Sequence, residues 1–213
     1  MPMLRPAAFA IVACMIVCQQ TVAAEVDAAD VAAARSLIDR IGAGGKAVVD
    51  ADGRLTEITI PDGSAVTADD VALLGRLVDL RTLRILNCRG LDDAMVASLR
   101  GLAGLRSLAL TNTAITDAAA ETIATAFPEL VELDLSSNTG LTGDAMKSIA
   151  SLAALERLSL VQTRFNDLHT RRLKKMRSLR AVDLRGNMEA GDPTLAVMGG
   201  LPHLEAFKHR STI

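Results

Sequence analysis

The 213-residue sequence has no Trp, no Tyr and only 4 Phe, so aromatics make up 2% of it. A chain this poor in π-faces has little with which to stack on unpaired bases or cage a quaternary cation. Its core is expected to be Leu, Ile, Val, Ala and Met. An excess of one charge is also missing. Against 25 Asp and Glu stand 23 Lys and Arg, a formal net charge of -2. That supplies no general pull toward nucleic acid or a membrane surface. Cysteine is scarce, with 3 residues in all. Cys14 and Cys18 fall in an apolar N-terminal segment, so its removal would leave Cys88 with no disulfide partner. What the chain does have is apolar bulk. At 50% hydrophobic residues it can bury a sizeable core as one domain, and disorder is excluded.

The first 24 residues read as an address rather than as structure. Arg5 supplies a positive start, residues 7–17 are apolar, and Val22-Ala23-Ala24 offers small residues before Glu25. This is the pattern of a cleaved signal peptide, too short in its apolar run to span a bilayer comfortably. The expected location is therefore outside the cytoplasm, in the periplasm or the extracellular space. Two alternatives stay open: a retained N-terminal anchor, and lipidation at Cys14 within Ile11-Val12-Ala13-Cys14. Loss of Arg5 leaves 22 basic and 25 acidic residues, a mature charge of about -3.

Self-similarity dominates the remainder. Leu55, Leu80, Leu105, Leu130, Leu155, Leu179 and Leu204 follow one another at spacings of 25, 25, 25, 25, 24 and 25. Each opens the phrase L-x-x-L-x-L-x-x-[N/C/T]. The phrase runs Leu80-Leu83-Ile85-Cys88, Leu105-Leu108-Leu110-Thr113 and Leu130-Leu133-Leu135-Asn138. It continues as Leu155-Leu158-Leu160-Thr163 and Leu179-Val182-Leu184-Asn187. The first copy, Leu55-Ile58-Ile60-Gly63, is looser, and the last is Leu204-Phe207-His209-Thr212. Alternation of buried and polar residues makes each phrase a short strand. Asp92, Thr116 and Asn166 then stand where a helix needs an N-cap, each followed by an acid suited to the positive helix end. Leu91, Met95, Leu99 and Leu102 recur at helical spacing, as do Leu141, Ala145, Ile149 and Leu152.

This phrase resembles that of the leucine-rich-repeat family over about residues 55–213. The subtypes it is most similar to are the cysteine-containing and ribonuclease-inhibitor-like ones, in an exported bacterial setting without disulfide-knotted caps. The resemblance implies an α/β solenoid of about seven repeats, with a curved parallel sheet on the concave face and helices on the convex face. It also implies that Cys88, Asn138 and Asn187 point inward to serve the adjoining turns. Cys88 is then a buried, inert thiol. Residues 25–54 are expected to cap the solenoid. A helix over residues 27–41 ends at Gly42-Ala43-Gly44-Gly45, a strand covers residues 46–49, and Asp50-Ala51-Asp52-Gly53 turns the chain back.

Catalytic and ligand-binding motifs are rejected one at a time. Gly42 to Lys46 resembles a phosphate loop only faintly, because Arg40 and Ala47 replace the glycine and the hydroxyl that such a loop needs. Asp50 to Gly53 lacks the spacing and the bidentate Glu of a calcium loop. His169, on a convex helix, His203, in a loop, and His209, facing the core, lack the spacing of a zinc site. No enzyme activity and no cofactor is expected.

The expected partner is a protein, taken by the side chains that project from the concave sheet. The residues singled out there are Arg84, Leu86, Glu132, Asp134, Arg157, Val161, Asp183, Arg185 and Lys208. Arginine is the hot-spot residue type available. A second surface is the basic run His169, Arg171, Arg172, Lys174, Lys175, Arg177 and Arg180, read either as a solvated convex face or as a weak contact for an anionic surface. Two other functions stay open. One is an envelope structural protein that self-associates at the C-terminal edge strand. The other is an effector serving as a ligase adaptor, for which residues 25–54 leave little room.

Overall fold

A computed structural model describes residues 28–42 and 44–209 of the chain. The signal-peptide segment, Cys14, and the last positions of the final phrase lie outside these residues. Helix α1 (Ala28–Ile41) comes first, and buries Ala34, Leu37 and Ile38. It ends at Gly42, whose φ of 84° lets the amide turn back onto the Ile38 carbonyl at 3.2 Å. Strand β1 (Lys46–Val49) pairs antiparallel with β2 (Leu55–Ile60) across the expected turn.

From β2 onward the chain repeats one motion. The strands are β3 (Thr82–Leu86), β4 (Ser107–Thr111), β5 (Glu132–Asp134), β6 (Arg157–Ser159), β7 (Ala181–Asp183) and β8 (Ala206–Lys208). Between them run α2 (Ala68–Leu74), α3 (Asp93–Ala97), α4 (Asp117–Ala126), α5 (Ala145–Ile149), α6 (Asp167–Thr170) and α7 (Asp192–Gly199). Short 3-10 turns extend α3 and α6. The sheet has eight strands in sequence order, and every pair after β1–β2 is parallel. A parallel sheet in sequence order, with a helix between each pair of strands, is the solenoid that the resemblance implies.

Register follows the phrase. Leu83, Leu108, Leu133, Leu158 and Val182 align across consecutive strands, and all are buried. Each such side chain contributes roughly 2 kcal/mol of burial. Aromatics are few but central, which corrects the expectation of a core without them. Phe127 and Phe165 are among the largest fully buried side chains. Both fill the helix side of the core, where the sheet-side leucine rungs do not reach.

Local capping works as the residues suggest. Asp92 accepts from the Met95 amide at 2.9 Å, Thr116 from Ala118 at 3.4 Å, and Asn166 from Leu168 and His169 at 3.1 and 3.2 Å. The inward polar position is also as expected. Asn138 donates to the Leu110 and Leu135 carbonyls at 2.6 and 2.9 Å, and accepts from the Thr113 amide and hydroxyl at 2.8 Å each. Asn187 does the same with Leu160, Leu184 and Thr163. Buried without such partners, these amides would be costly. Cys88 is buried too, and burial is the main cause pushing its thiol up, against the amides of Leu91 and Gly90.

One ladder has no counterpart in the sequence reading. Asn87, Asn112, Ser137, Gln162 and Gly186 hold one position per repeat just beyond the strand, and all have positive φ, between 53° and 76°. Only at the last is the residue glycine, and a Cβ there would lie 2.6 Å from the Gln162 side chain. Side-chain bonds offset part of the strain. Asn87 donates to the Pro61 carbonyl at 3.1 Å, and Asn112 to Asn87 at 3.0 Å.

Candidate partner-binding face

The residues expected to meet a partner lie on and beside the concave sheet, and the structure ties several of them to one another. Glu132 is the hub. It lies beside Arg157 in the cross-strand register, with Arg157 Nη2 3.7 Å from its carboxylate. Arg84, two strands away on β3, reaches the same oxygen at 3.5 Å. Two strand spacings amount to roughly 10 Å. The span is open because Ser107 and Ala109, on the strand between, are small and buried. Ser107 also donates its hydroxyl to Glu132 at 3.0 Å. One carboxylate thus holds two guanidinium groups, each about half exposed, and the net contribution of such pairs to stability is small.

Arg185 is likewise engaged. Its Nε and Nη2 donate to Asp183 at 2.9 and 2.7 Å. Partial burial would raise the Asp183 carboxyl, but these bonds and the Arg185 charge outweigh it and hold the group below the usual carboxylate range. The three arginines singled out as contacts are therefore paired within the chain. Asp134 is different. Its carboxylate accepts from the Ser136 amide at 2.9 Å and forms no ion pair among the described residues.

Asp134 borders a shallow groove of about 280 Å³ over β5 to β8. Small residues, Ser159, Ala181 and Ala206, form its floor, and Glu132, Arg157, Asp183 and Lys208 stand around it. Leu86 and Val161 lie half-buried at the strand ends, outside this groove. Ser136 is closed off beneath its hydroxyl contact with Ser159 at 2.9 Å. The sequence reading missed the groove, whose signal is that Ala181 and Ala206 share one register position, with Ser159 two residues beyond it on β6.

The convex side shows where the basic run sits. Arg171, Arg172, Lys174, Lys175 and Arg177 are exposed on and after α6. His169 is part of the α6 cap. Its Nδ1 accepts from the Asn166 amide at 3.3 Å, and its ring lies flush on Gly143. His203 is exposed in the turn before β8. His209 stays half-buried beside β8 rather than entering the core, bonded to the Ala190 carbonyl and stacked on Phe207. Among the described residues, no group of three His, Cys, Asp or Glu is placed to hold a metal ion. No described helix is long and apolar enough to cross a membrane.

A leucine rich repeat family model matches residues 128–188, which span β5 to β7. The chain has the leucine-rich-repeat fold. Solved structures with the same fold include two from Listeria monocytogenes strain 4b F2365. One is an internalin (inlF), 21% identical over 67% of this chain and 39% of that chain, at a TM-score of 0.52. The other is an internalin C2 (inlC2), 22% identical over 65% of this chain and 55% of that one, at a TM-score of 0.53. The leucine-rich-repeat chain thus spans about two fifths to just over half the length of these internalins. No curated protein matches it.

Proposed function

We propose that the chain is a non-enzymatic protein-binding module of the bacterial cell envelope, and that it takes its partner on the concave sheet. The observation that carries this is Asp134. It is an unpaired carboxylate on the rim of a groove floored by Ser159, Ala181 and Ala206. A partner can place a basic side chain against Asp134 without breaking an existing ion pair, and can rest its backbone on the small floor. Arg84 and Arg157 act differently. A partner gains from them only by competing with Glu132. Export rests on the N-terminal pattern before Glu25 and belongs to the same proposal.

The test is capture from a bacterial envelope extract, with the mature chain as bait beside Asp134→Arg and an Arg84→Glu/Arg157→Glu double variant. A specific protein held by the parent, lost with Asp134→Arg and weakened by the double variant is expected. Capture of the same proteins by all three baits would remove the concave sheet from the proposal. Capture of the bait alone would favour self-association. Sequencing the mature N-terminus checks export, with Glu25 as the expected first residue.

A further inference from the structure

The exposed large apolar side chains are not spread evenly. Among the described residues there are four, and three of them, Leu168, Met188 and Leu195, lie in or between the last two helices. Leu168, on α6, is 66% exposed. The two helices are clamped together beside it. The Thr194 amide and hydroxyl donate to Asp167 at 3.1 and 2.6 Å, and the Thr170 and Thr194 hydroxyls meet at 2.7 Å. Leu168 and Leu195 follow Asp167 and Thr194 in the chain, so both project from a braced segment.

Cations lie beside Leu168 and in the segment that follows it. Arg171, Arg172, Lys174, Lys175 and Arg177 are exposed and form no ion pair among the described residues, although Arg171 and Arg172 act at longer range on the Asp167 and Asp144 carboxyls. Leu168, His169 and Arg172 also wall a depression of about 440 Å³ between α5 and α6, together with Lys147 and Asp144.

We propose that this convex patch docks on an anionic phospholipid surface. Headgroup phosphates pair with Arg171, Arg172, Lys174 and Lys175, and Leu168 enters the headgroup–acyl boundary. A bilayer satisfies both halves of the patch at once, the exposed cations and the projecting leucines. An acidic soluble partner would use the cations and leave Leu168 without a role. The patch lies on the face opposite the sheet, so a membrane-docked chain keeps its concave groove open.

The test is flotation of the purified protein with phosphatidylglycerol vesicles and, separately, with phosphatidylcholine vesicles. Binding to the first at low salt, and not to the second, is expected. Each neutralised cation should weaken partitioning about fivefold, so Arg172→Gln with Lys175→Gln weakens it about 25-fold. Leu168→Ser should weaken it at least about fivefold, since a projecting leucine then no longer leaves water. All these side chains are exposed, and unchanged circular dichroism confirms that the variants fold. Asp134→Asn should float like the parent, which keeps this result separate from the fate of the concave site. Absence of flotation at low salt overturns the proposal, as does flotation indifferent to these substitutions. Full binding by Leu168→Ser with loss in the charge variants also overturns it, and reassigns the patch to a soluble acidic partner.

Discussion

The Asp93 carboxylate receives both the backbone amide and the hydroxyl of Thr116, at 2.8 and 2.6 Å, although the two residues belong to successive repeats. It also accepts from the Ala119 amide at 3.2 Å. Asp117 holds Thr142 and Asp167 holds Thr194 in the same way. The first acid of a helix thus clamps the start of the next one. Asp93→Ala is expected to destabilise the fold by about 1–2 kcal/mol, read as a lower urea midpoint. An unchanged midpoint would show that water replaces the clamp at no cost.

Asn138 makes a sharper case because it is fully buried. Asn138→Ala strands the Leu110 and Leu135 carbonyls and the Thr113 amide. A loss of about 3 kcal/mol is expected. Asn138→Leu should be no better, since volume does not replace the bonds. Equilibrium unfolding in urea gives both values, and a loss well under 1 kcal/mol would mean that the turns do not depend on this amide.

Acid should loosen the clamp between α6 and α7. The hydrogen bond from the Thr194 hydroxyl and that from the Gly191 amide hold the Asp167 carboxyl below its ordinary 3.8. A carboxyl depressed in the folded state contributes stability that is complete above the unfolded value. That contribution is lost as pH falls below about 3.8 through the folded value. Melting temperature measured between neutral pH and pH about 3 should therefore fall less steeply for Asp167→Asn than for the parent. Parallel curves would exclude Asp167 from the acid response.

Two glycines set how closely the helix sides of the first full repeats stack. A Cβ on Gly75 would lie 2.1 Å from the Ser98 carbonyl oxygen, and one on Gly101 would lie 2.5 Å from that of Gly75. Both obstacles are backbone. Gly75→Ala is expected to cost about 2 kcal/mol or more by forcing the repeats apart. Gly90→Ala, which meets nothing within 4 Å, should be close to neutral. Thermal unfolding of the two variants side by side makes the comparison.

Much of the fold was legible because a solenoid is a local structure. Leucine spacing placed β2 to β8, and Asp92, Thr116 and Asn166 announced their caps. What escaped depended on neighbours across the stack. The acids after the caps were read as partners of the helix dipole, yet Asp93 and Asp117 serve the next repeat. The concave side chains were read one by one, but Arg84 meets Glu132 only because Ser107 and Ala109 between them are small. Phe127 stands where neighbouring repeats have Leu102 and Leu152, and Phe165 where they have Ile115 and Leu141, so the repeat spacing marked both as core although composition pointed away from aromatics.

The buried polar pairs have a consequence for how such a chain can grow or shrink. Thr113 is matched with Asn138, and Thr163 with Asn187. Gly63 packs against Cys88 in the equivalent pair, close enough that a Cβ would lie 2.6 Å from that of Cys88. Each member depends on its successor, while the next pair begins afresh. The interchangeable module is therefore a doublet. Excising the Asn138 repeat would leave Thr113 facing Thr163, and excising the Thr163 repeat would leave Asn138 facing Asn187, whereas excising both would rejoin Thr113 to Asn187. Gene duplication, or an engineer lengthening the scaffold, would succeed in even steps.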